Sequence, residues 1–276
     1  MSENLIIDDI LSGFNQTKPL SKGGQKVVFT VAHPIYGVCV LKIGKYSSRA
    51  TLERVQREVS ILGEIDSKYF PKQFVFEIVD QERYFILEEL LKGDTLDKRF
   101  KQFSNEKSVA RLGVELLAAL QLLWDKKVVH RDLKPSNIII TDDGPRIIDL
   151  GIARLLDATS ITDTYAPYGP CTPNYASPEQ LENRKRDIDY RSDQFSLGII
   201  LAQLLLNGAH PFAPEVVGAG DSIPMNILTD LWAKDLLNTH VTTMFSTIKR
   251  MLGHDPYQRY RNAGDLLAHM VELAKE

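Results

Sequence analysis

The strongest constraint on this chain is the stretch "VVHRDLKPSNIII", residues 128–140, in which eight mostly polar residues lie between two β-branched runs. β-branched residues favour buried strands. We therefore predict that Val128–Val129 and Ile138–Ile140 are strand pieces that hold a polar loop at both ends. Loops that a scaffold holds in this way are common sites of binding and catalysis.

The residues of this loop are more than turn formers. Pro, Ser and Asn are ordinary turn residues, because they preset or bond their own backbone. Turn formation does not account for His130, Arg131 and Lys134. A further carboxylate, Asp149, follows another β-branched run in "PRIIDLG". The pattern therefore indicates a site that handles charge.

The composition favours a globular, cytoplasmic protein. The 276 residues are 43% hydrophobic and 25% charged, which is enough for two lobes of ordinary domain size. The formal net charge of -3, without a long run of one sign, predicts no nucleic-acid or membrane partner. The start "MSENLIIDDILSGF" lacks the basic residues and long apolar region of a secretory signal.

Two further features bear on compartment and fold. Cys39 and Cys171 lie far apart and lack the close spacing of a zinc or redox motif, so we expect reduced thiols and no disulfide. The stretch Gln194–Pro214 has no charged residue, and about 20 apolar residues span a bilayer. Because it contains glutamine, serine, asparagine and histidine, we predict a helix buried in the core.

The first third of the chain alternates strand and helix signals. The pattern predicts strand, strand, helix, strand and strand at roughly Leu20–Val31, Gly37–Ile43, Ala50–Ile65, Phe74–Val79 and Tyr84–Leu87.

The predicted helix has one apolar face, and a carboxylate lies beside it. The face is formed by Leu52, Val55, Val59 and Leu62. Glu58 lies next to that stripe, and a buried carboxylate needs a partner. Lys42, which ends the apolar run "VCVLK", is the candidate partner.

A change of pattern follows the predicted strands. The segment "EELLKGD", residues 88–94, interrupts the apolar run and looks like a connector. Beyond it the chain is mostly helical, beginning with an amphipathic helix whose apolar residues are Val109, Leu112, Gly113, Leu116, Leu117 and Leu120.

Together these pieces resemble the protein kinase family, specifically its Hanks-type Ser/Thr members. The matching segments, in the family's order, are "LSKGGQKVVF", "VLK" with Lys42, "QREVSIL" with Glu58, "HRDLKPSN", "DLG" with Asp149, and "SPE". The resemblance implies an α+β, two-lobed protein kinase fold, with a small antiparallel-sheet N-lobe that has one main helix and a larger helical C-lobe. It places an N-terminal extension at 1–16, the N-lobe at 17–90 and the C-lobe at 91–276.

The resemblance also implies Mg-ATP as the phosphoryl donor and assigns roles in the loop. Asp132 would orient the proton of the attacking hydroxyl, and Lys134 would neutralise the transferring phosphoryl group, as in Ser/Thr-directed members. Asn137 and Asp149 would hold Mg²⁺. In "CTPNYASPEQ", which resembles the family's peptide-docking loop, Thr172 would bond to Asp132 and Lys134.

For the nucleotide, the resemblance implies that Lys42 grips the α- and β-phosphates of ATP and is oriented by Glu58. The phosphate loop departs most from the family pattern, because only Gly23 of its three glycine positions is a glycine. Glycines there let backbone N–H groups approach phosphate, so the departures bear on ATP affinity. The other expected nucleotide contacts are Ser21 and Lys26 at the remaining glycine positions, Val28 at the valine, Leu87 at the gatekeeper, the backbones of Glu88 and Leu90 at adenine, and Asp94 at the ribose.

Regulation is expected in the segment that follows Asp149. By resemblance, Arg131 and Arg154 would supply basic partners for a phosphorylated loop residue, for which Thr162 and Thr164 are the candidates.

Three residues are expected to have structural roles. Glu179 of "SPE" would pair with Arg259, and Asp193 of "RSDQFSLG" would bind the backbone of the loop around residue 131. His130 would support the same backbone.

These readings predict a serine/threonine protein kinase that acts on protein substrates, with autophosphorylation of the activation segment. One alternative is a pseudokinase scaffold, which is supported only by the loss of two of the three glycines in the phosphate loop. The other is a small-molecule phosphotransferase on a kinase-like fold, against which the docking loop argues. The substrate and the oligomeric state are not predicted.

Overall fold

The structure, a computed structural model, describes residues 3–22, 26–103, 105–149, 171–240 and 243–275. The chain divides into two compact units, residues 1–92 and residues 93–276. We refer to them as unit 1 and unit 2.

Unit 1 is built around a five-stranded antiparallel sheet with the order β1-β2-β3-β5-β4. Its described elements are α1 (Glu3–Ser12), β1 (Asn15–Lys22), β2 (Lys26–His33), β3 (Gly37–Lys45), α2 (Arg49–Glu64), β4 (Gln73–Ile78) and β5 (Arg83–Glu89). The predicted helix near Ala50–Ile65 is confirmed as α2, and Ser48 caps it by accepting a hydrogen bond from the Thr51 N–H at 3.2 Å.

The strand predicted over Leu20–Val31 is wrong. The structure has two strands there, β1 and β2, which pair antiparallel with Ser21 opposite Val28. The adjacent glycines Gly23 and Gly24 are the sequence signal for this break, because glycine weakens strands and favours turns.

Helix α1 covers one face of this sheet. Ile10 packs in a buried cluster that includes Leu41 and Leu87, and the apolar residues of the α1 segment that join it are Ile7, Ile10, Leu11 and Phe14. Their spacing of three, four and seven residues is that of one helix face. Residues 1–16 were predicted only as an N-terminal extension, and this packing was not predicted.

Unit 2 is mainly helical and carries a small three-stranded sheet with the order β6-β7-β8. Its strands are β6 (Asp94–Thr95), β7 (Ile138–Thr141) and β8 (Gly144–Ile147). Its described α-helices are α3 (Glu106–Asp125), α4 (Pro178–Leu181), α5 (Tyr190–Leu205), α6 (Pro214–Val217), α7 (Ile223–Leu228), α8 (Lys234–His240), α9 (Phe245–Met251) and α10 (Ala263–Lys275). Short 3₁₀ turns lie at Leu96–Lys98, Phe100–Gln102, Pro135–Asn137, Pro173–Tyr175 and Pro256–Gln258.

The predicted amphipathic helix is confirmed as α3. Asn105 and Ser108 form a capping box at its start, and the predicted apolar stripe is buried. The glycine in that stripe, Gly113, allows close packing of α10, since a Cβ at this position would lie 3.0 Å from the sulfur of Met270.

The uncharged stretch from Gln194 forms most of α5. Every residue from Ser192 to Leu204 is buried, as expected for a helix in the core of unit 2. Among the described residues, no helix is both long and apolar enough to span a membrane.

The prediction of a strand at Val128–Val129 is wrong, whereas Ile138–Ile140 is in β7. The N–H of Val128 donates to the carbonyl of Leu123 at 2.9 Å and closes the end of α3. Lys127 has the positive φ of 61° that this type of helix end requires. Val128 is only 6% exposed, so its β-branched side chain indicated burial and not strand pairing.

Candidate functional site

The loop between α3 and β7 places Asp132 in a hydrogen-bonded cluster of unit 2. The hydroxyl of Thr172 donates to Asp132 Oδ1 at 2.6 Å, and Lys134 Nζ donates to Asp132 Oδ2 at 3.0 Å. Lys134 Nζ also donates to Thr172 Oγ1 at 2.7 Å. The predicted bonds of Thr172 are therefore present. Because Asp132 is 7% exposed, these charge-assisted bonds act where water screens little.

Asn137 joins this cluster from the 3₁₀ turn that precedes β7. Its amide nitrogen donates to the backbone carbonyl of Asp132 at 2.8 Å and to Asp132 Oδ2 at 3.2 Å. The N–H of Ile148 donates to the carbonyl of Asn137 at 2.9 Å. The antiparallel pair β7–β8 therefore brings Asn137 and Asp149 to the same end of the sheet.

His130 and Asp193 fix the backbone of the loop, as predicted. The carboxylate of Asp193, fully buried, accepts from the backbone N–H groups of His130 and Arg131 and from the indole of Trp124, each at 2.9 Å. Burial raises the pKa of Asp193, against the N–H donors that favour its charged form. His130 Nε2–H donates to the carbonyl of Ile148 at 3.2 Å, next to Asp149. Asp193 is thus a structural anchor.

Two residues of the site have left-handed backbone conformations. Arg131 has φ 64° and Asp149 has φ 54°, which costs free energy for residues other than glycine. At Arg131, the flanking N–H groups bind Asp193, and its carbonyl accepts from Gln180 Nε2 at 2.8 Å. Gln180 was missed by the sequence reading, because nothing in the pattern distinguishes it from an ordinary helix residue.

The segment that resembles a peptide-docking loop, residues 171–180 (the docking segment), is hydrogen-bonded to α5 and to the chain that follows α5. The hydroxyl of Tyr175 donates to Gln203 Oε1 at 2.8 Å, and Ser196 Oγ donates to the carbonyl of Tyr175 at 2.8 Å. His210 Nε2–H donates to the carbonyl of Asn174 at 2.9 Å. Burial raises the pKa of Tyr175 to about 12 and lowers the pKa of His210 to about 4.

Near the end of this segment, Glu179 forms the predicted pair with Arg259. The guanidinium binds the carboxylate in a bidentate arrangement at 2.7 and 2.9 Å, and both side chains are fully buried. Ser192 Oγ donates to Glu179 Oε1 at 2.6 Å. Burial alone raises the pKa of Glu179, but the bonds from Arg259 and Ser192 outweigh it and hold that pKa below its ordinary value.

In unit 1, one face of the sheet carries several of the predicted nucleotide contacts. Val28 lies directly opposite Lys42 in the β2–β3 ladder, and Lys26 lies opposite Gly44. Because side chains alternate along a strand, Lys26, Val28 and Lys42 share this face. Lys42 is 6% exposed.

The described partner of Lys42 is a strand residue. Lys42 Nζ lies 2.6 Å from Glu88 Oε1, and each side chain is 8% exposed. The side chain of Glu58, the predicted partner, lies outside the described part of the chain. Leu87, predicted as the gatekeeper, pairs with Leu41 and packs in the cluster on the opposite face, with α1. That assignment is wrong by one residue, because Glu88 and not Leu87 shares the face of Lys42.

The remaining predicted residues are placed as follows. Asp94 Oδ2 lies 2.6 Å from Arg99 Nη2 at the start of unit 2, and Leu90 follows the end of β5. Both cysteines are unbridged thiols. Gly23, Arg154, Thr162 and Thr164 lie outside the described residues.

A charged loop built around Asp132, the buried Glu179–Arg259 pair, and an antiparallel sheet with a buried lysine are features of the protein kinase class. The model of the family described as "Protein kinase domain" matches residues 14–271. The chain therefore belongs to the protein kinase family.

Curated relatives from distant organisms agree with this assignment. The chain is 30% identical to "Serine/threonine-protein kinase PknA" of Nostoc sp., over 78% of this chain and 37% of that protein. It is 28% identical to "Serine/threonine-protein kinase dst2" of Dictyostelium discoideum, over 95% of this chain and 23% of that protein. It is 27% identical to "Serine/threonine-protein kinase PknH" of Mycobacterium bovis, over 94% and 44%. The chain thus spans less than half the length of these relatives.

A solved structure supports the fold. The crystal structure of Rad53 residues 1–466 in complex with AMP-PNP matches 96% of this chain and 66% of that chain, with a TM-score of 0.73 and 21% identity. The antiparallel sheet of unit 1 and the helical unit 2 are the two lobes of the kinase fold.

Proposed function

We propose that this protein is a serine/threonine protein kinase, which transfers the γ-phosphoryl group of Mg-ATP to a serine or threonine hydroxyl of a protein. The observation that carries the proposal is the cluster of Asp132, Lys134 and Thr172. It holds a carboxylate and an ammonium group 3.0 Å apart beside the docking segment. We further propose residues 17–90 and 91–276 as the two lobes, preceded by an extension at 1–16.

The cluster supplies what phosphoryl transfer asks of a protein. Asp132 accepts the proton of the substrate hydroxyl while the hydroxyl oxygen bonds to the γ-phosphorus and the bond to the leaving ADP oxygen breaks. Lys134 neutralises charge on the transferring group. The Thr172 hydroxyl donates a hydrogen bond to Asp132 and accepts one from Lys134, so it holds both side chains in position.

The residues proposed for Mg²⁺ suit that ion chemically. The amide nitrogen of Asn137 donates to Asp132, which leaves the amide oxygen as its metal-binding atom, and Asp149 adds a carboxylate. Mg²⁺ prefers oxygen ligands and is commonly held by one or two carboxylates together with substrate phosphates. When bound, the ion neutralises phosphate charge.

Substitution of either carboxylate tests the proposal. We expect Asp132→Asn and Asp149→Asn each to abolish phosphoryl transfer from labelled Mg-ATP to a generic protein acceptor, with unfolding midpoints close to that of the wild type. Asp143→Asn, an exposed turn residue between β7 and β8, is the matched control and should remain fully active. Wild-type turnover in Asp132→Asn would contradict the kinase assignment.

The same assay separates the alternatives. A pseudokinase scaffold would bind nucleotide without turnover in the wild type. A small-molecule phosphotransferase would consume ATP only when a non-protein acceptor is present. The docking segment, in which Tyr175 bonds to Gln203 and Asn174 accepts from His210, favours a protein acceptor over a small molecule.

We also propose control by autophosphorylation at Thr162 or Thr164, with Arg131 and Arg154 as partners of the phosphate. Of these four, only Arg131 lies in the described part of the chain. Burial lowers the pKa of its guanidinium, although Asp193 opposes this, and its Nε has no hydrogen-bond partner among the described residues. A phosphate, with a charge of about -1.5 to -2, would satisfy that donor.

The test of this control is phosphosite mapping. We expect phosphate between residues 149 and 179 in the active protein and none in Asp132→Asn, and reduced activity in a Thr162→Ala/Thr164→Ala double variant. An unphosphorylated segment together with a fully active double variant would contradict it. A cytoplasmic location is proposed from the sequence alone.

A further inference from the structure

We propose that Glu88 is a positioning residue for Lys42, so that the proposed phosphate-binding ammonium group is oriented from within the sheet of unit 1. The geometry rests on the 2.6 Å contact between Lys42 Nζ and Glu88 Oε1. The functional consequence rests on the proposed kinase activity.

Strand register places the two side chains together. Lys42 lies opposite Ile86 and Val40 lies opposite Glu88, so Lys42 and Glu88 are diagonal neighbours on one face. The pairing between β3 and β5 runs without a bulge from Cys39 opposite Glu89 to Lys45 opposite Arg83. The ladder therefore fixes the backbone positions of Lys42 and Glu88 as diagonal neighbours on one face of the sheet.

Burial makes this contact consequential. Both side chains are 8% exposed, so water screens little of the attraction between the ammonium group and the carboxylate. The long lysine side chain also has many rotamers, which a short ion pair restricts. Glu88 therefore restricts the direction in which the Lys42 ammonium group points before a nucleotide arrives.

The carboxylate of Glu88 also has an effect that opposes orientation, so the direction of the change in kcat/KM for ATP shows which effect is larger. Its negative charge weakens the attraction of Lys42 for phosphate. If the orientation of Lys42 by Glu88 dominates, removal of the Glu88 charge lowers kcat/KM for ATP. If the carboxylate mainly competes with phosphate for Lys42, removal of the Glu88 charge raises kcat/KM for ATP. The diagonal placement and the burial favour orientation.

The first measurement is steady-state kinetics with Mg-ATP and a protein acceptor. We expect Glu88→Gln, which keeps the shape but removes the charge, to lower kcat/KM for ATP about tenfold to hundredfold, and Glu88→Asp to be intermediate. Glu77→Gln removes the same charge from an exposed position on β4 of the same sheet and should match the wild type. Equal or higher kcat/KM in Glu88→Gln would overturn the proposal.

The second measurement does not depend on turnover. Acetylation of Lys42 by an N-hydroxysuccinimide ester, quantified by mass spectrometry without nucleotide, should be several-fold faster in Glu88→Gln than in the wild type. Lys45, exposed at the end of the same strand, is the internal reference. Thermal unfolding checks the fold. If Glu88→Gln is unfolded, Glu88→Asp decides, and labelling of its Lys42 should be faster than in the wild type.

The two measurements separate the inference from the function it rests on. If labelling rises but the wild type transfers no phosphate, the ion pair stands and the kinase proposal fails. If the wild type is active and the variants change neither labelling nor kcat/KM, the role of Glu88 is wrong and the kinase proposal stands.

Discussion

At the scale of single residues, the uncharged Thr172 controls a charged pair. Its hydroxyl donates to Asp132 and accepts from Lys134, so its loss removes one hydrogen bond from each of these side chains. We expect Thr172→Val to lower kcat about tenfold to hundredfold, because positioning of reacting groups is worth factors of that size. KM for ATP should change less, since in the proposed mechanism Asp132 and Lys134 act on the acceptor hydroxyl and the transferring group.

Thr172→Ser is the matched control, because it keeps the hydroxyl and removes only a methyl group. Its kcat should be close to that of the wild type. The measurement is initial rates at saturating ATP for both variants. A Thr172→Val variant with wild-type kcat would show that Lys134 and Asp132 are held sufficiently by other contacts.

The residues of this cluster were predictable because they lie close together in a recognisable motif. Asp132, Lys134 and Asn137 fall within six positions, and Thr172 opens a second motif. The contact between Lys42 and Glu88 was harder to predict from the sequence. The runs "VCVLK" and "YFILEE" are apolar at nearly every position, so they lack the alternation that reveals which residues share a face. The sequence therefore could not distinguish Leu87 from Glu88.

At the scale of elements, the segment of residues 171–180 is hydrogen-bonded to a buried histidine. His210 Nε2–H donates to Asn174, while its Nδ1 accepts from the N–H of Phe212 at 3.2 Å. Both ring nitrogens are therefore used in the neutral form, and a proton on Nδ1 would break the bond from Phe212. Burial lowers the pKa of His210 from 6.5 to about 4, against the bond to Asn174 that favours the charged form.

This arrangement predicts lower stability in acid. Between pH 6.5 and about 4, the unfolded chain binds a proton at His210 that the folded protein does not, so the free energy of unfolding falls as the pH falls. The shift corresponds to at most about 3 kcal/mol. Denaturant titrations of the wild type and His210→Gln from pH 7.5 to 4.5 should show a weaker pH dependence in the variant. Parallel pH profiles would contradict this assignment.

The packing of α1 on the sheet gives a second prediction at this scale. Ile10 is 9% exposed within the cluster that includes Leu41 and Leu87, and truncation of a buried isoleucine to alanine costs about 2 to 5 kcal/mol. We expect Ile10→Ala to speed amide hydrogen exchange in β3 and β5. Asp9→Ala, at the exposed neighbouring position, should leave exchange unchanged. Unaltered exchange in Ile10→Ala would mean that α1 adds little to the sheet.

At the scale of the whole molecule, the buried pair Glu179–Arg259 joins residues that are 80 positions apart. Arg259 also donates to the carbonyls of Gly253, Arg191 and His254, so one side chain ties together α4, the start of α5 and the turn before α10. The sequence motif predicted the pair. It did not predict these backbone contacts, because they depend on the loop conformation around Gly253 and not on residue type.

Removal of Arg259 should therefore destabilise unit 2 as a whole. Arg259→Met leaves Glu179 as a buried carboxylate without its cation, which costs about 3 to 5 kcal/mol. Arg259→Lys keeps the charge but cannot bind in the bidentate mode, so its loss should be smaller. Trp124 and Trp232 are the two tryptophans of the chain and both belong to unit 2, so guanidinium unfolding followed by tryptophan fluorescence reports on this unit. The double variant Glu179→Gln/Arg259→Met, which removes the buried charge as well, should recover part of the lost stability. If Arg259→Met unfolds at the wild-type midpoint, the pair does not hold unit 2 together, and its burial has another cause.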